Sequence, residues 1–191
     1  MKNTLLMAKI PVYELDAEQK KKTETMSFRL DGHILDKLRR ESESQGISLN
    51  VLANKIFTRY VEWDMFEPKV GMVPIAKPIV SALFEKLTEK ETIELANKIG
   101  HSIVSDIATF MKGTLDIDSF VSWFVTRMKM SDFEMNHTEK NGRHIYIIKH
   151  DLGYNWSLYH KTVLELIFNG ILGKKIDSEI KDRMMEISFE R

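Results

Sequence analysis

The sequence predicts an α+β protein in two parts. A short β-α-α module occupies residues 23–66, and a larger domain at 76–191 reads α-α-α-β-β-α-β. Three observations predict this. Apolar residues alternate at period two over 25–30 and then recur at helical spacing up to Trp63. Pro68, Gly71 and Pro74 fall close together, which marks 67–75 as the best linker. Beyond Lys129 the pattern returns to alternation on both sides of Asn141-Gly142, a strong hairpin signal.

In the first module, Met26, Phe28 and Leu30 lie on one face of the expected strand and Thr25, Ser27 and Arg29 on the other. Asp31 stands where a helix N-cap is wanted, with Ile34, Leu35 and Leu38 as an inward stripe. Gly46 ends that helix, and Ser48 caps a second one carrying Leu49, Leu52, Ala53, Ile56 and Tyr60 at helical spacing. In the larger domain, Pro78 suits the first turn of a helix running to about Leu87. Thr88 and Glu91 form a capping box that opens a longer helix to about Met111, with Gly113 at its end. Asp116 or Asp118 caps a helix over 119–129, with Phe120, Trp123, Phe124 and Met128 on one face. Strands follow at 132–138 and 143–150, then a helix at 156–169 and a last strand at 184–189.

Composition bounds the function less tightly. The chain has 191 residues, 43% hydrophobic and 29% charged, an ordinary globular balance. With 28 basic and 28 acidic side chains the net charge is zero, so any electrostatic pointer to a partner is local. Residues 20–59 hold nine basic and five acidic side chains, a modest net +4 that a dimer doubles. The absence of cysteine excludes disulfides, thiolate metal sites and cysteine nucleophiles. No apolar run approaches the roughly 18 residues a membrane span needs. Residues 1–22, with Pro11 and the cationic run Lys20, Lys21 and Lys22, read as a flexible extension rather than a signal peptide. A cytoplasmic location is expected, with no membrane partner.

A lone strand leaves its backbone donors and acceptors unpaired, so it must find another edge. The same strand of a second copy supplies one, and a two-stranded ribbon of that kind fits the major groove of double-stranded DNA. A β-α-α unit of about 40 residues also buries too little apolar surface to stand alone, which interdigitation with a second copy repairs. The outward Thr25, Ser27 and Arg29 suit base edges, since arginine forks onto guanine and hydroxyls accept or donate.

With the alternating strand, Asp31, Ile34-Leu35-x-x-Leu38 and the turn Gly46-Ile47-Ser48-Leu49-Asn50 in place, the segment resembles the ribbon-helix-helix (Arc- and MetJ-like) family. The resemblance covers about 40 residues. It implies an obligate intertwined homodimer whose antiparallel ribbon enters the major groove. It matches Thr25, Ser27 and Arg29 to base-reading positions, and Ser48, Leu49 and Asn50 to a phosphate clamp at a helix N-terminus. Lys20, Lys21 and Lys22, just before the strand, are further candidates for phosphate contact. The competing reading is a helical hairpin whose strand pairs with the C-terminal sheet.

The C-terminal domain carries fewer pointers, and its own fold resembles no named family. Oligomerisation, to a tetramer in one version, or binding of an unidentified effector is the expected role. His150, Tyr154, Asn155 and Trp156 form a candidate ligand pocket at a strand-to-helix turn, where the residues equally suit a structural turn. His137, His144, His150 and His160 raise metal sensing as an alternative, but His144 and His150 stand too far apart along one strand to share an ion. No metal and no cofactor is expected. An antitoxin-like partner binder and a ligand-binding domain without a DNA role are further alternatives. No P-loop, GxGxxG, GxSxG or HExxH motif occurs, so the expectation is a protein that is not an enzyme.

Overall fold

A computed structural model describes residues 23–190. They form a mixed helix-and-sheet structure in which seven α-helices precede and interleave with one four-stranded antiparallel sheet. The chain divides into two compact units between Ala53 and Asn54, inside the second helix.

In the first unit, residues 23–30 lie outside helix and strand. The alternation is there, but a strand also needs a partner edge, and none of the four sheet strands pairs with this segment. Helix α1 spans Gly32–Ser44 with Asp31 at the N-cap position, although the Asp31 side chain makes no capping bond. Gly46 adopts φ 62°, and the Ile47 amide reaches back to the Ser42 carbonyl at 3.0 Å, closing the helix end. Helix α2 spans Leu49–Arg59, and Ser48 caps it by accepting the Val51 amide at 3.3 Å.

In the second unit the chain leaves α2 through a π-helical turn, Tyr60–Asp64, that buries Trp63. The 67–75 segment, expected as a linker, holds a 3₁₀ turn at Glu67–Lys69, and Met72 packs against the C-terminal core. Helix α3 is Lys77–Glu85, with proline in its first turn. Thr88 and Glu91 complete the capping box of α4, Glu89–Leu95, by exchanging hydrogen bonds at 3.2 and 2.8 Å. The long helix expected to follow is interrupted by a π-helical stretch, Ala96–Gly100, before α5, His101–Lys112, which Gly113 ends at φ 81°. Asp116 caps α6, Ile117–Met130, through the Ser119 amide at 2.9 Å.

Strands β1, Glu134–Lys140, and β2, Arg143–Lys149, form the expected hairpin. Asn141 and Gly142 both have positive φ, 53° and 75°, as a two-residue primed turn demands. Helix α7, Tyr154–Leu166, continues into a π-helical end, Ile167–Leu172. Strand β3, Ile176–Ile180, is an addition to the expected order, and β4 is Met184–Glu190. The sheet order is β1-β2-β4-β3.

Register places three rows on the core face: Glu139–His144–Phe189–Ile176, His137–Tyr146–Ile187–Ser178, and Met135–Ile148–Met185–Ile180. Helices α6 and α7 cover this face, and the Phe120, Phe168 and Phe189 rings meet 4.9–5.9 Å apart at the centre of the core. On the opposite face Arg143 bridges the strands, donating to Ser188 Oγ at 2.8 Å and to the Asp177 carboxylate. No helix among the described residues is long and apolar enough to cross a membrane.

Candidate functional site

Thr25, Ser27 and Arg29 are all exposed. So are the residues alternating with them, with Met26 75%, Phe28 57% and Leu30 49% exposed. Part of the apolar surface of the helices is uncovered too. Ile34, Val51, Ile56, Phe57 and Tyr60 are exposed, whereas Leu52 is buried. Of the stripe that periodicity assigns to the interior, Ile34, Ile56 and Tyr60 are exposed, Leu35, Leu38, Leu49 and Ala53 are half-buried, and Leu52 is buried.

Ser48 and the first residues of α2, Leu49 and Asn50, form the N-terminal end of that helix, the end at which a helix presents backbone amides outward. Ser48 and Asn50 are exposed and Leu49 is half-buried. Arg39 pairs with Asp36 at 3.5 Å on the exposed side of α1. Lys20, Lys21 and Lys22 lie outside the described residues.

In the second unit the four candidates at the strand-to-helix turn separate. Tyr154 and Asn155 line an open cleft of about 410 Å³, together with Phe84, Leu87, Leu152 and the carboxylates of Glu85, Glu89 and Asp182. His150 and Trp156 turn the other way, into the core. Asn155 acts structurally. Its side-chain amide donates to the Phe84 and Leu87 carbonyls at 3.1 and 2.7 Å, satisfying the C-terminal end of α3. Gly153, at φ 83°, turns the chain into α7.

His150 is 4% exposed and fully bonded. Its Nδ1 accepts the Leu152 amide at 3.2 Å, so the proton resides on Nε2, which donates to Ser157 Oγ at 2.8 Å. Ser157 in turn donates to the Lys181 carbonyl at 3.0 Å. Burial holds the His150 pKa down at about 4, against the opposing pull of Asp151 and Asp182. A histidine hydrogen-bonded to a serine resembles an activated nucleophile. Here Ser157 has no exposed surface and its proton is committed to a backbone carbonyl, so the pair locks α7 to the turn before β4.

Four of the six histidines fall into two spatial pairs that spacing along the chain does not reveal. His137 Nε2 and His144 Nδ1 are 3.0 Å apart, with the ring planes within 3° of parallel and centres 5.2 Å apart. That head-on arrangement holds one shared proton rather than aiming two lone pairs at an ion. His150 and His160 flank Trp156, at 4.3 and 3.8 Å between ring centres. Among the described residues no group of three histidine, aspartate or glutamate side chains could hold a metal ion.

No protein-family model matches the chain, and no curated protein matches it significantly.

Proposed function

We propose that this chain is a homodimeric, sequence-specific DNA-binding regulator with a C-terminal domain for oligomerisation or effector binding. The ribbon would form between copies, with 25–30 of one chain antiparallel to the same segment of its partner. The observation that carries the reading is the composition of that segment. Thr25, Ser27 and Arg29 alternate with Met26, Phe28 and Leu30, all exposed, directly before two helices whose apolar faces are partly exposed. Pairing two copies would remove both exposures together, since the ribbon supplies backbone partners and its apolar face covers the helices. The other face would then offer two hydroxyls and a guanidinium per strand to base edges. The N-terminal end of α2, at Ser48, Leu49 and Asn50, would hold a phosphate through the positive end of the helix dipole and its outward amides.

Selection from randomised double-stranded DNA tests this reading and yields the half-site spacing in the same experiment. Salt-sensitive binding to a two-fold symmetric sequence is the expected result. Failure to enrich any sequence, with no salt-dependent retention, rejects it.

A further inference from the structure

The four-stranded sheet of the second unit has two edges, and they differ. Strand β3 is five residues long and α7 packs on it. Strand β1 is seven residues long, contains no proline, and pairs only with β2 among the described residues. All its residues are exposed except Met135, which is half-buried. A long, open edge strand is a template for another strand.

The hairpin turn fixes which backbone groups of β1 face outward. In a hairpin closed by two residues, the pair flanking the turn exchanges both backbone bonds, and such pairs then alternate along the ladder. Lys140 and Arg143 flank Asn141-Gly142, so the backbone amides and carbonyls of Glu134, Asn136, Thr138 and Lys140 are directed at β2. Those of Met135, His137 and Glu139 point away from the sheet, and no other element among the described residues bonds to them.

The side chains of β1 complement a second copy of β1. Set antiparallel with a two-fold axis at His137, every residue of the strand has an opposite number. Glu134 faces the partner's Lys140, Asn136 faces the partner's Thr138, Met135 faces the partner's Glu139, and His137 faces the partner's His137. The axis repeats each contact, so the Glu134–Lys140 pair occurs at both ends, at non-hydrogen-bonded positions where side chains come closest. Moving the axis by one residue keeps the backbone in phase but sets Glu134 opposite Thr138 or Gly142 and leaves part of β1 with no strand residue facing it. Lys149 holds Glu134 from the β2 side at 2.7 Å, so the partner's Lys140 continues a row of alternating charge. Exposed ion pairs add little affinity; here they set the register, while the outward backbone groups supply the bonds.

We infer that the C-terminal domain self-associates through β1, joining the sheets of two copies about an axis at His137. This names a surface for the oligomerisation role proposed above and rests on that part of the reading, not on DNA binding.

The chain contains no cysteine, so single introduced thiols report the register. In the paired ladder the two His137 Cα atoms lie about 5.5 Å apart, within disulfide reach. The two Glu134 positions are separated by the length from 134 to 140, roughly 20 Å. On the full chain under mild oxidation, without DNA, His137→Cys should form a disulfide-linked dimer and Glu134→Cys should not. Lys140→Glu sets like charges opposite each other at both ends and should weaken concentration-dependent assembly in sedimentation about tenfold. Adding Glu134→Lys to the same chain should restore it. The charge exchange keeps His137, so it decides where the thiol disturbs the contact with His144. Assembly that is absent, indifferent to Lys140→Glu or not restored by Glu134→Lys overturns the proposal, as does equal cross-linking at both thiols. Neither readout depends on the 25–30 ribbon or on DNA, so this proposal and the DNA reading fail separately.

Discussion

His150 and Ser157 are joined by a 2.8 Å hydrogen bond in which the imidazole donates, and the serine hydroxyl in turn donates to the Lys181 carbonyl. Three elements meet in that chain of bonds: the end of β2, the first turns of α7 and the turn before β4. Ser157→Ala leaves the buried His150 Nε2–H without a partner. A loss of about 1–3 kcal/mol in urea unfolding is expected, the cost of an unsatisfied buried polar group. An unchanged unfolding midpoint would mean that the bond locks nothing.

The same histidine makes stability depend on pH. Its folded pKa of about 4 lies below the ordinary 6.5, so the unfolded chain binds the proton more readily. The contribution is complete above pH 6.5 and is lost as pH falls towards about 4, with a slope of at most about 1.4 kcal/mol per pH unit from this group. Burial lowers the His160 pKa as well, which adds loss in the same direction. Unfolding free energy measured across this window should fall with acid, and His150→Gln should flatten the slope.

Gly100 meets α7 too closely for a side chain. A Cβ there would sit 2.4 Å from Val163 Cγ2, a branched and poorly yielding neighbour. Gly100→Ala should therefore destabilise by about 1–3 kcal/mol, as overpacking does. Adding Val163→Ala should make the double mutant less unstable than the two single changes predict, and a double-mutant cycle by chemical denaturation measures the coupling.

Under the proposed DNA reading, Arg29→Ala removes a bidentate base pairing from an exposed position. Specific affinity should weaken by about 1–3 kcal/mol for each arginine–guanine pair removed, while the melting temperature stays near wild type. Fluorescence anisotropy on the selected sequence and on a scrambled duplex separates the effect on specificity from the effect on charge.

The apolar side of the same segment has a different readout. Met26 is 75% exposed in one chain, and the dimer proposal buries it between copies. Met26→Glu should shift sedimentation towards monomer and remove DNA binding with it. A wild-type chain that sediments as a monomer at micromolar concentration would sink the dimer.

How much of the fold was legible in the sequence depends on how local each cause is. The Asn141-Gly142 turn, the Thr88/Glu91 box, the Ser48 and Asp116 caps and the Gly113 stop are written within a few residues, and each does in the structure what its chemistry requires. Strand β3 was not legible. It is five residues long with Asp177, Ser178 and Glu179 between two isoleucines, and it becomes a strand because β4 offers it an edge. The π-helical break at Ala96–Gly100 leaves the apolar periodicity readable as one helix, so the spacing alone does not reveal it.

The candidate site follows the same division. Residue parity sorts Thr25, Ser27 and Arg29 from Met26, Phe28 and Leu30, because successive side chains of an extended segment point to opposite faces. By itself the sequence determined the Ser48, Thr88/Glu91 and Asp116 caps and the hairpin, whereas the two faces of 25–30 belong to the proposed ribbon, since all six residues are exposed in the single chain. Only the tertiary structure decided that His137 meets His144 and that His150 and His160 flank one tryptophan. Those relationships join residues from different elements, and the packing of helices on the sheet, which no local spacing encodes, brings them together.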